Sequence, residues 1–333
     1  MSTGRSRVIF ACMARVPTRR HFLLAAGAAI PAATFALLAR ESDAPAPLAA
    51  GALDPDARPV RRIVQAQPTR DGAGVRLSRA LGGQALPDLD PFLLLDEFHT
   101  DRADDYIAGF PDHPHRGFET VTYMIHGAME HRDSVGNRGR LGPGSAQWMT
   151  AGRGLVHSEM PKQEQGLMWG FQLWVNLPAA RKMVKPRYQD IPPSAIPEVD
   201  IADARVRVVA GEAGGRRGPV DGVVVAPSLL DVTLGAGASF RHSLPTEHNA
   251  LVYVIEGAAR VGPEGTPVAR GELAVLGAGR SAVSTSATGA RFLLLAGQPI
   301  GEPIARRGPF VMNTAEEIRQ AYEDYRSGRL VGG

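Results

Sequence analysis

Two short stretches of the chain carry metal-binding side chains at positions i and i+2: His113-Pro114-His115 and, about forty residues later, His157-Ser158-Glu159. On a β-strand such side chains point to the same face and are separated by about 6.6 Å along the strand. They can bind one ion, with ligand distances of about 2.1 Å, only if they converge on a point above the strand. Two converging pairs therefore favour neighbouring strands on the inner wall of a small β-barrel.

The rest of the sequence is dominated by short apolar segments between turn residues. Glycine and proline are abundant, at 38 and 26 residues, whereas aromatic residues make up 6% of the chain. Evenly spaced short strands joined by Gly-rich turns are typical of jelly-roll barrels rather than of helical bundles. The sequence therefore predicts an all-β protein with two tandem jelly-roll β-barrels and a C-terminal helix.

The same pattern divides the chain into three regions. Residues 1–50 are interpreted as a leader and linker, residues 59–180 as an N-terminal metal-binding barrel, and residues 205–333 as a second barrel that ends in the helix. The segment 178–204 between the barrels holds five prolines and several charged residues, which indicates a connection.

The second barrel is predicted to lack metal ligands, and the end of the chain is predicted to be helical. The nearest ligand candidates, His242, Glu247 and His248, are not followed by a histidine-bearing strand. Near the end of the chain, Thr314 and Glu317 have the spacing of a capping box and precede an amphipathic stripe of apolar residues. We expect this helix to dock on a barrel.

The metal site must be built from His, Asp and Glu, because the only cysteine lies in the leader. Three histidines, His113, His115 and His157, together with one carboxylate can hold a divalent transition metal and leave positions open for a substrate or O₂. Spacing alone leaves the carboxylate undecided. Glu119 completes a His-x-His-x₃-Glu pattern used by many cupins, whereas Glu159 shares a strand face with His157.

Two other polar residues near these stretches are interpreted less specifically. His131 has no partner at metal spacing and is expected to be structural. Gln172 alternates onto the same strand face as Trp174. From there it could hydrogen-bond to a ligand or a metal-bound water, or be a buried glutamine satisfied by the backbone.

The first segment resembles a twin-arginine export signal. The pair Arg19-Arg20 precedes an Ala-rich apolar run that ends at Leu38, and small residues at 44–50 offer cleavage sites. The alternatives are an N-terminal membrane anchor or a chance arginine pair. At about seventeen residues the apolar run is short for a stable span. We therefore expect a periplasmic protein with no stable membrane span after processing.

The charge of the chain is concentrated in that leader. Residues 1–43 contain six arginines and two acidic residues, so of the total of +3 the remainder of the chain carries −1. A nearly neutral folded region offers no electrostatic reason to bind nucleic acid.

Four blocks of the sequence resemble the signature sequences of the pirin family: residues 90–98 (DPFLLLDEF), 111–123 (PDHPHRGFETVTY), 147–161 (QWMTAGRGLVHSEMP) and 172–177 (QLWVNL). The resemblance extends over nearly all of the chain after the leader. Pirins are bicupins with metal in the N-terminal cupin only, so the resemblance implies two tandem cupin domains. The family's ligands fall on His113, His115, His157 and Glu159, and this decides against Glu119.

The resemblance also implies a chemistry. Iron, as Fe²⁺, is the usual metal, although a site of this composition also accepts Mn, Co, Ni, Cu or Zn. Several members have quercetin 2,3-dioxygenase activity, which implies a small flavonol-like phenol and O₂ as substrates, with Glu159 as the base. We expect the protein to be a monomer. Other members are redox-sensing regulators, so a non-catalytic metal-binding or redox-sensing module is the alternative, and another cupin reaction also remains open. The exported leader departs from the family pattern.

Overall fold

The structure is a computed structural model that describes residues 55–331, so the predicted export signal lies outside the described residues. It confirms an all-β protein with a C-terminal helix. The strands up to the connecting segment are β1 (Val60–Gln65), β2 (Gln67–Asp71), β3 (Val75–Leu81), β4 (Phe92–Thr100), β5 (Phe110–His115), β6 (Phe118–His126), β7 (Met129–Asp133), β8 (Arg138–Leu141), β9 (Ala146–Thr150), β10 (Leu155–Pro161), β11 (Met168–Asn176) and β12 (Arg187–Ile191).

The second group of elements follows the connection. It comprises β13 (Glu198–Ile201), β14 (Ala204–Ala210), β15 (Glu212–Ala213), β16 (Arg216–Arg217), β17 (Ser228–Leu234), β18 (Ser239–Ser243), β19 (Asn249–Val261), β20 (Thr266–Ala269), β21 (Glu272–Leu276), β22 (Ser281–Thr285), β23 (Ala290–Gly297), β24 (Ala305–Arg307), β25 (Phe310–Met312) and α1 (Ala315–Arg326). Short 3₁₀ turns lie at Ala103–Asp105, Ala179–Arg181 and Pro193–Ala195. Within residues 55–331, no helix is long and apolar enough to cross a membrane.

Two facing sheets form the N-terminal barrel. One has the strand order β12-β9-β6-β11-β4-β3-β2, and the other has the order β5-β10-β7-β8. Alternation along β6 and β11 sends one set of side chains into the barrel and the other set outward. Apolar side chains such as Met124, Met129 and Leu141 fill part of the interior. The polar residues of β5 and β10 therefore lie on the inner wall of a packed barrel.

The second barrel is built on a ten-stranded sheet whose main path is β1-β21-β19-β23-β17-β14-β13. Its interior is packed with apolar side chains, including Val206, Val232, Phe240, Val252 and Phe292.

The first strand and the last segment of the described residues each pack on the other barrel, which spacing along the sequence did not predict. β1 belongs to the predicted N-terminal range 59–180 but pairs antiparallel with β21 of the second barrel. The C-terminal segment returns to the N-terminal barrel, where Arg116 forms an ion pair with Asp324 at 2.7 Å. Gly117 permits this return, because its φ is +88° and a Cβ there would clash with the carbonyl oxygen of Val311.

The outward faces of the two large sheets pack against each other. Val121, Phe171 and Leu173 from the N-terminal barrel join Tyr253 and Leu295 from the second barrel in one buried cluster. Burial of this apolar area is the main force that holds the barrels together.

Buried hydrogen bonds fix the register of this interface. The Tyr123 hydroxyl donates to Asp231 Oδ2 at 2.7 Å, and the Tyr253 hydroxyl donates to Glu97 Oε2 at 2.7 Å.

The predicted capping box at the start of α1 is confirmed. The side chain of Thr314 accepts from the backbone N–H of Glu317, whose carboxylate accepts from the backbone N–H of Thr314. Ile318 and Ala321 are buried, whereas Tyr325, near the end of the helix, is 41% exposed. The helix therefore buries apolar side chains in its first two turns, and Asp324 in its third turn forms the ion pair with Arg116.

Candidate metal centre

The first pair of predicted ligands, His113 and His115, lies on β5, an edge strand of its sheet. The missing N–H of Pro114 is tolerated there, because an edge strand has one unpaired side. β5 pairs with β10 so that His113 lies opposite His157, and the register shifts between His157 and Glu159. The two sequence pairs are thus brought onto adjacent strands, as the spacing predicts.

The three predicted histidines converge. One ring nitrogen from each of His113, His115 and His157 lies within 4.8 Å of the other two. The ring centroids are 4.7 Å apart for His113 and His115, 4.3 Å for His113 and His157, and 4.9 Å for His115 and His157. This nearly equilateral arrangement of imidazoles is a ligand set suited to a divalent transition metal.

A hydrogen bond at Nδ1 orients each imidazole. His113 Nδ1 donates to the carbonyl oxygen of Pro111 at 2.8 Å, and His115 Nδ1 donates to that of Pro309 at 3.2 Å. Since a carbonyl only accepts, these bonds fix the hydrogen on Nδ1 and leave Nε2 as the metal-binding nitrogen. His157 Nδ1 lies 3.3 Å from Nδ1 of His131.

Burial favours the neutral form of two of the predicted ligands. His115 is 3% exposed and His157 is 1% exposed. Desolvation is the main cause that lowers the pKa of both imidazoles well below the usual value, and repulsion from neighbouring histidines adds to it. Nε2 of His157 is buried and has no hydrogen-bond partner among the described residues. A neutral imidazole with an unshared lone pair is the form that binds a metal, so these residues fit one.

Glu159 lines the same cavity as His113 and His115, but its carboxylate is not part of the three-histidine group. Thr122 Oγ1 donates to its Oε1 at 2.6 Å, and Gln172 Nε2 donates to its Oε2 at 2.9 Å. Each oxygen retains a further lone pair. The roles of Glu159 as fourth ligand and as base stay predictions.

Glu119 occupies the opposite face of β6 from Thr122. Its Oε1 accepts from Thr150 Oγ1 at 2.6 Å, and burial raises the pKa of its carboxyl group. Tyr123 lies four residues later on the same face of β6, and its hydroxyl contacts Asp231 of the second barrel. Glu119 therefore lies outside the histidine cluster.

A cavity of about 1040 Å³ opens onto the cluster. Its wall combines apolar and aromatic side chains, such as Leu77, Phe110 and Trp174, with charged ones, such as Arg79 and Arg306. The Arg306 guanidinium lies 4.7 Å from the centroid of the Trp174 ring. A large cavity that combines aromatic and apolar walls with charged and polar groups suits a flat aromatic molecule that carries hydroxyl groups.

Three features of this site differ from the sequence-based interpretation or were missed by it. The Gln172 side-chain amide donates to the carboxylate of Glu159, whereas a bond to a bound molecule, to a metal-bound water or to the backbone was expected. The contact of His131 Nδ1 with Nδ1 of His157, at 3.3 Å, was not predicted. Pro309 reaches the site from the other end of the chain. No local pattern marks Pro309, but His131-Arg132-Asp133 does carry an i, i+2 pair.

Comparisons with known proteins agree with this architecture. The family description "Pirin" matches residues 74–175, and "Pirin C-terminal cupin domain" matches residues 229–331. A pirin-like protein of Caulobacter vibrioides is 50% identical over 275 residues, which cover 82% of this chain and 99% of that protein. A Pseudomonas aeruginosa protein with the provisional name quercetin 2,3-dioxygenase is 48% identical over 279 residues, or 82% of this chain and 98% of that protein.

A solved structure also resembles this chain in sequence and fold. The crystal structure of quercetin 2,3-dioxygenase from Acinetobacter baumannii superposes with a TM-score of 0.76 at 33% identity, covering 83% of this chain and 99% of that one. The similarity to this fold, together with the two family matches at residues 74–175 and 229–331, confirms the predicted pair of cupin domains. The chain belongs to the pirin family.

Proposed function

We propose that this protein is a metal-dependent dioxygenase that cleaves a quercetin-like flavonol with O₂. The observation that carries the proposal is the cluster of His113, His115 and His157 at the base of a large, partly aromatic cavity. The provisional name of the Pseudomonas aeruginosa relative and the likeness to the quercetin 2,3-dioxygenase of Acinetobacter baumannii support the same reaction.

The residues around the cluster suit the deprotonation of a phenol. Glu159 is the proposed base for the flavonol 3-hydroxyl, and Thr122 and Gln172 orient its carboxylate by one hydrogen bond to each oxygen. Trp174 offers an aromatic wall for the substrate rings, because its ring centroid is 5.3 Å from that of His115.

When bound, a divalent metal supplies the redox chemistry that lets a phenolate react with O₂. We propose Fe²⁺ as that metal, held by the three histidines and Glu159. In the overall reaction each flavonol consumes one O₂, the central ring opens, and one carbon leaves as carbon monoxide while the remainder forms an ester.

The reaction is tested by loading the protein without oxygen, in separate samples, with Fe, Mn, Co, Ni or Cu. Quercetin and O₂ are then added, and the loss of flavonol absorbance is followed together with release of carbon monoxide. The proposal expects one carbon monoxide for each flavonol consumed. No absorbance loss and no carbon monoxide with any metal would refute it. Bound metal without turnover would favour the non-catalytic or redox-sensing alternative.

A matched pair of variants separates the two carboxylates. Glu159→Gln keeps the shape of the side chain and removes the proposed base, so turnover should fall by about 100-fold or more. Glu119→Gln, on the opposite face of β6, should leave turnover nearly unchanged. Equal loss in both variants would contradict the assignment of Glu159.

We also propose that the protein is exported to the periplasm by the twin-arginine route. The support is the pair Arg19-Arg20 before the apolar run. Fractionation of cells that express the full chain should recover it in the periplasm, and Arg19→Lys/Arg20→Lys should retain it in the cytoplasm. Cytoplasmic location of the unchanged chain would refute this proposal.

A further inference from the structure

His157 is the one ligand histidine whose orienting partner does not by itself define its tautomer. The Nδ1 atoms of His113 and His115 donate to backbone carbonyls, which can only accept. The partner of His157 Nδ1 is Nδ1 of His131, at 3.3 Å. An imidazole nitrogen either donates or accepts, so the state of His157 depends on the state of His131.

Asp133 removes this ambiguity. Its Oδ2 lies 3.3 Å from Nε2 of His131, and both side chains are buried, at 1% and 0% exposure. The backbone N–H groups of Val135 and Asn137 donate to Oδ1, and the Asn137 side chain donates to Oδ2. The carboxylate of Asp133 is therefore held in place by donors and presents an acceptor to His131.

We propose that Asp133 and His131 are positioning residues that hold His157 with its hydrogen on Nδ1 and its lone pair on Nε2 directed to the metal. The hydrogen bonds run in one direction. His131 donates from Nε2 to Asp133, which leaves its Nδ1 as an acceptor for the Nδ1 hydrogen of His157.

The opposite arrangement, in which His131 donates from Nδ1 to His157, is unfavourable for two reasons. Hydrogen on Nδ1 of His131 would turn the Nε2 lone pair of that ring toward the Asp133 carboxylate, so two acceptors would face each other and the buried Nε2 would have no donor. It would also leave the hydrogen of His157 on Nε2, where it blocks metal binding.

Tyr188 further restrains this pair. Its ring centroid lies 4.8 Å from that of His131, and its hydroxyl accepts a hydrogen bond from Gln147 Nε2 at 3.0 Å.

The inference rests on the metal site of the proposed function but not on the reaction, so it is tested without turnover.

The first test reads the tautomers directly. Long-range ¹H–¹⁵N spectra of the full chain, labelled at histidine and loaded with Zn²⁺, should show hydrogen on Nδ1 of His157 and on Nε2 of His131. The same spectra of the metal-free protein should show the same hydrogens, so a chain that binds no zinc would still test the hydrogen-bond direction. Hydrogen on Nε2 of His157 or on Nδ1 of His131 would overturn the inference.

The second test uses a rescue variant and a control on the same strand. His131→Leu removes the acceptor and should weaken zinc affinity by about 10- to 100-fold and shift the visible spectrum of the Co²⁺-loaded protein. His131→Gln can accept from His157 and donate to Asp133, so it should recover most of the affinity and the native spectrum. Met129→Ala alters the buried face of β7 without touching His157 and should leave zinc affinity nearly unchanged.

Zinc affinity is measured by competition with a chelator of known affinity. Native affinity in His131→Leu would overturn the inference, as would an equal loss in His131→Gln or in Met129→Ala, because a loosened barrel would then account for the effect.

Discussion

Acidification should destabilise the metal-free protein through two of its predicted metal ligands. His115 and His157 are buried, and desolvation, followed by repulsion between the histidines, lowers the pKa of both imidazoles well below the usual value. In the unfolded chain each histidine titrates near its ordinary pKa of about 6.5. Below that pH the unfolded state binds protons that the folded state does not, so the stability present at higher pH is lost as the pH falls.

The magnitude follows from the number of protons involved. A histidine that remains neutral when folded costs about 1.4 kcal/mol for each pH unit below the unfolded pKa. Between pH 7.5 and pH 5.5 each residue therefore costs about 1.4 kcal/mol, and the pair costs about 3 kcal/mol. This is an upper value, because the folded protein also takes up protons once the pH reaches the lowered pKa values.

Urea unfolding in the presence of a chelator measures this loss. All three tryptophans, Trp148, Trp169 and Trp174, lie in the N-terminal barrel, so their fluorescence reports on the unit that holds the histidines. The reference is the double variant His115→Gln/His157→Gln. Wild-type protein should lose up to about 3 kcal/mol more than this variant between pH 7.5 and pH 5.5. Parallel losses in the two proteins would refute the reasoning.

Three further substitutions test the packing that positions the site. Thr314→Ala removes the N-cap of α1 and should lower the free energy of unfolding in urea by about 1 kcal/mol, and an unchanged value would contradict the role of the cap. Tyr123→Phe removes a buried hydroxyl that donates to Asp231 and accepts from Arg207, so it should cost about 1–3 kcal/mol in the same assay, and no cost would show that this contact is not needed. Asp324→Asn weakens the ion pair with Arg116 beneath the C-terminal segment and should increase hydrogen exchange in α1, whereas unchanged exchange would show that α1 docks without it.

Features set by local periodicity could be predicted from the sequence. The pairs at 113/115 and 157/159 specify strand faces, and the strand alternation around Gln172 is as expected, because two-residue periodicity is a property of a single strand. The capping box at Thr314 depends on four consecutive residues. Such features need no knowledge of the distant chain.

Features set by distant contacts could not be predicted in this way. Strand β1 pairs with β21, more than two hundred residues later, and Pro309 supplies the carbonyl that orients His115. Neither contact has a signature in its own segment. His131 is an intermediate case, because its spacing to Asp133 was visible but its contact with His157 depends on how β7 pairs with β10.

The central claim is that the three histidines and Glu159 hold one metal ion, and metal content tests it most directly. Elemental analysis of protein purified from its native cell envelope should find about one transition-metal ion per chain, with iron as the proposed ion. His157→Ala and Glu159→Ala should lose most of it, whereas Glu119→Gln should keep it. A metal-free native protein, or full metal content in His157→Ala, would contradict the account, and loss in Glu119→Gln with retention in Glu159→Ala would transfer the ligand role to Glu119.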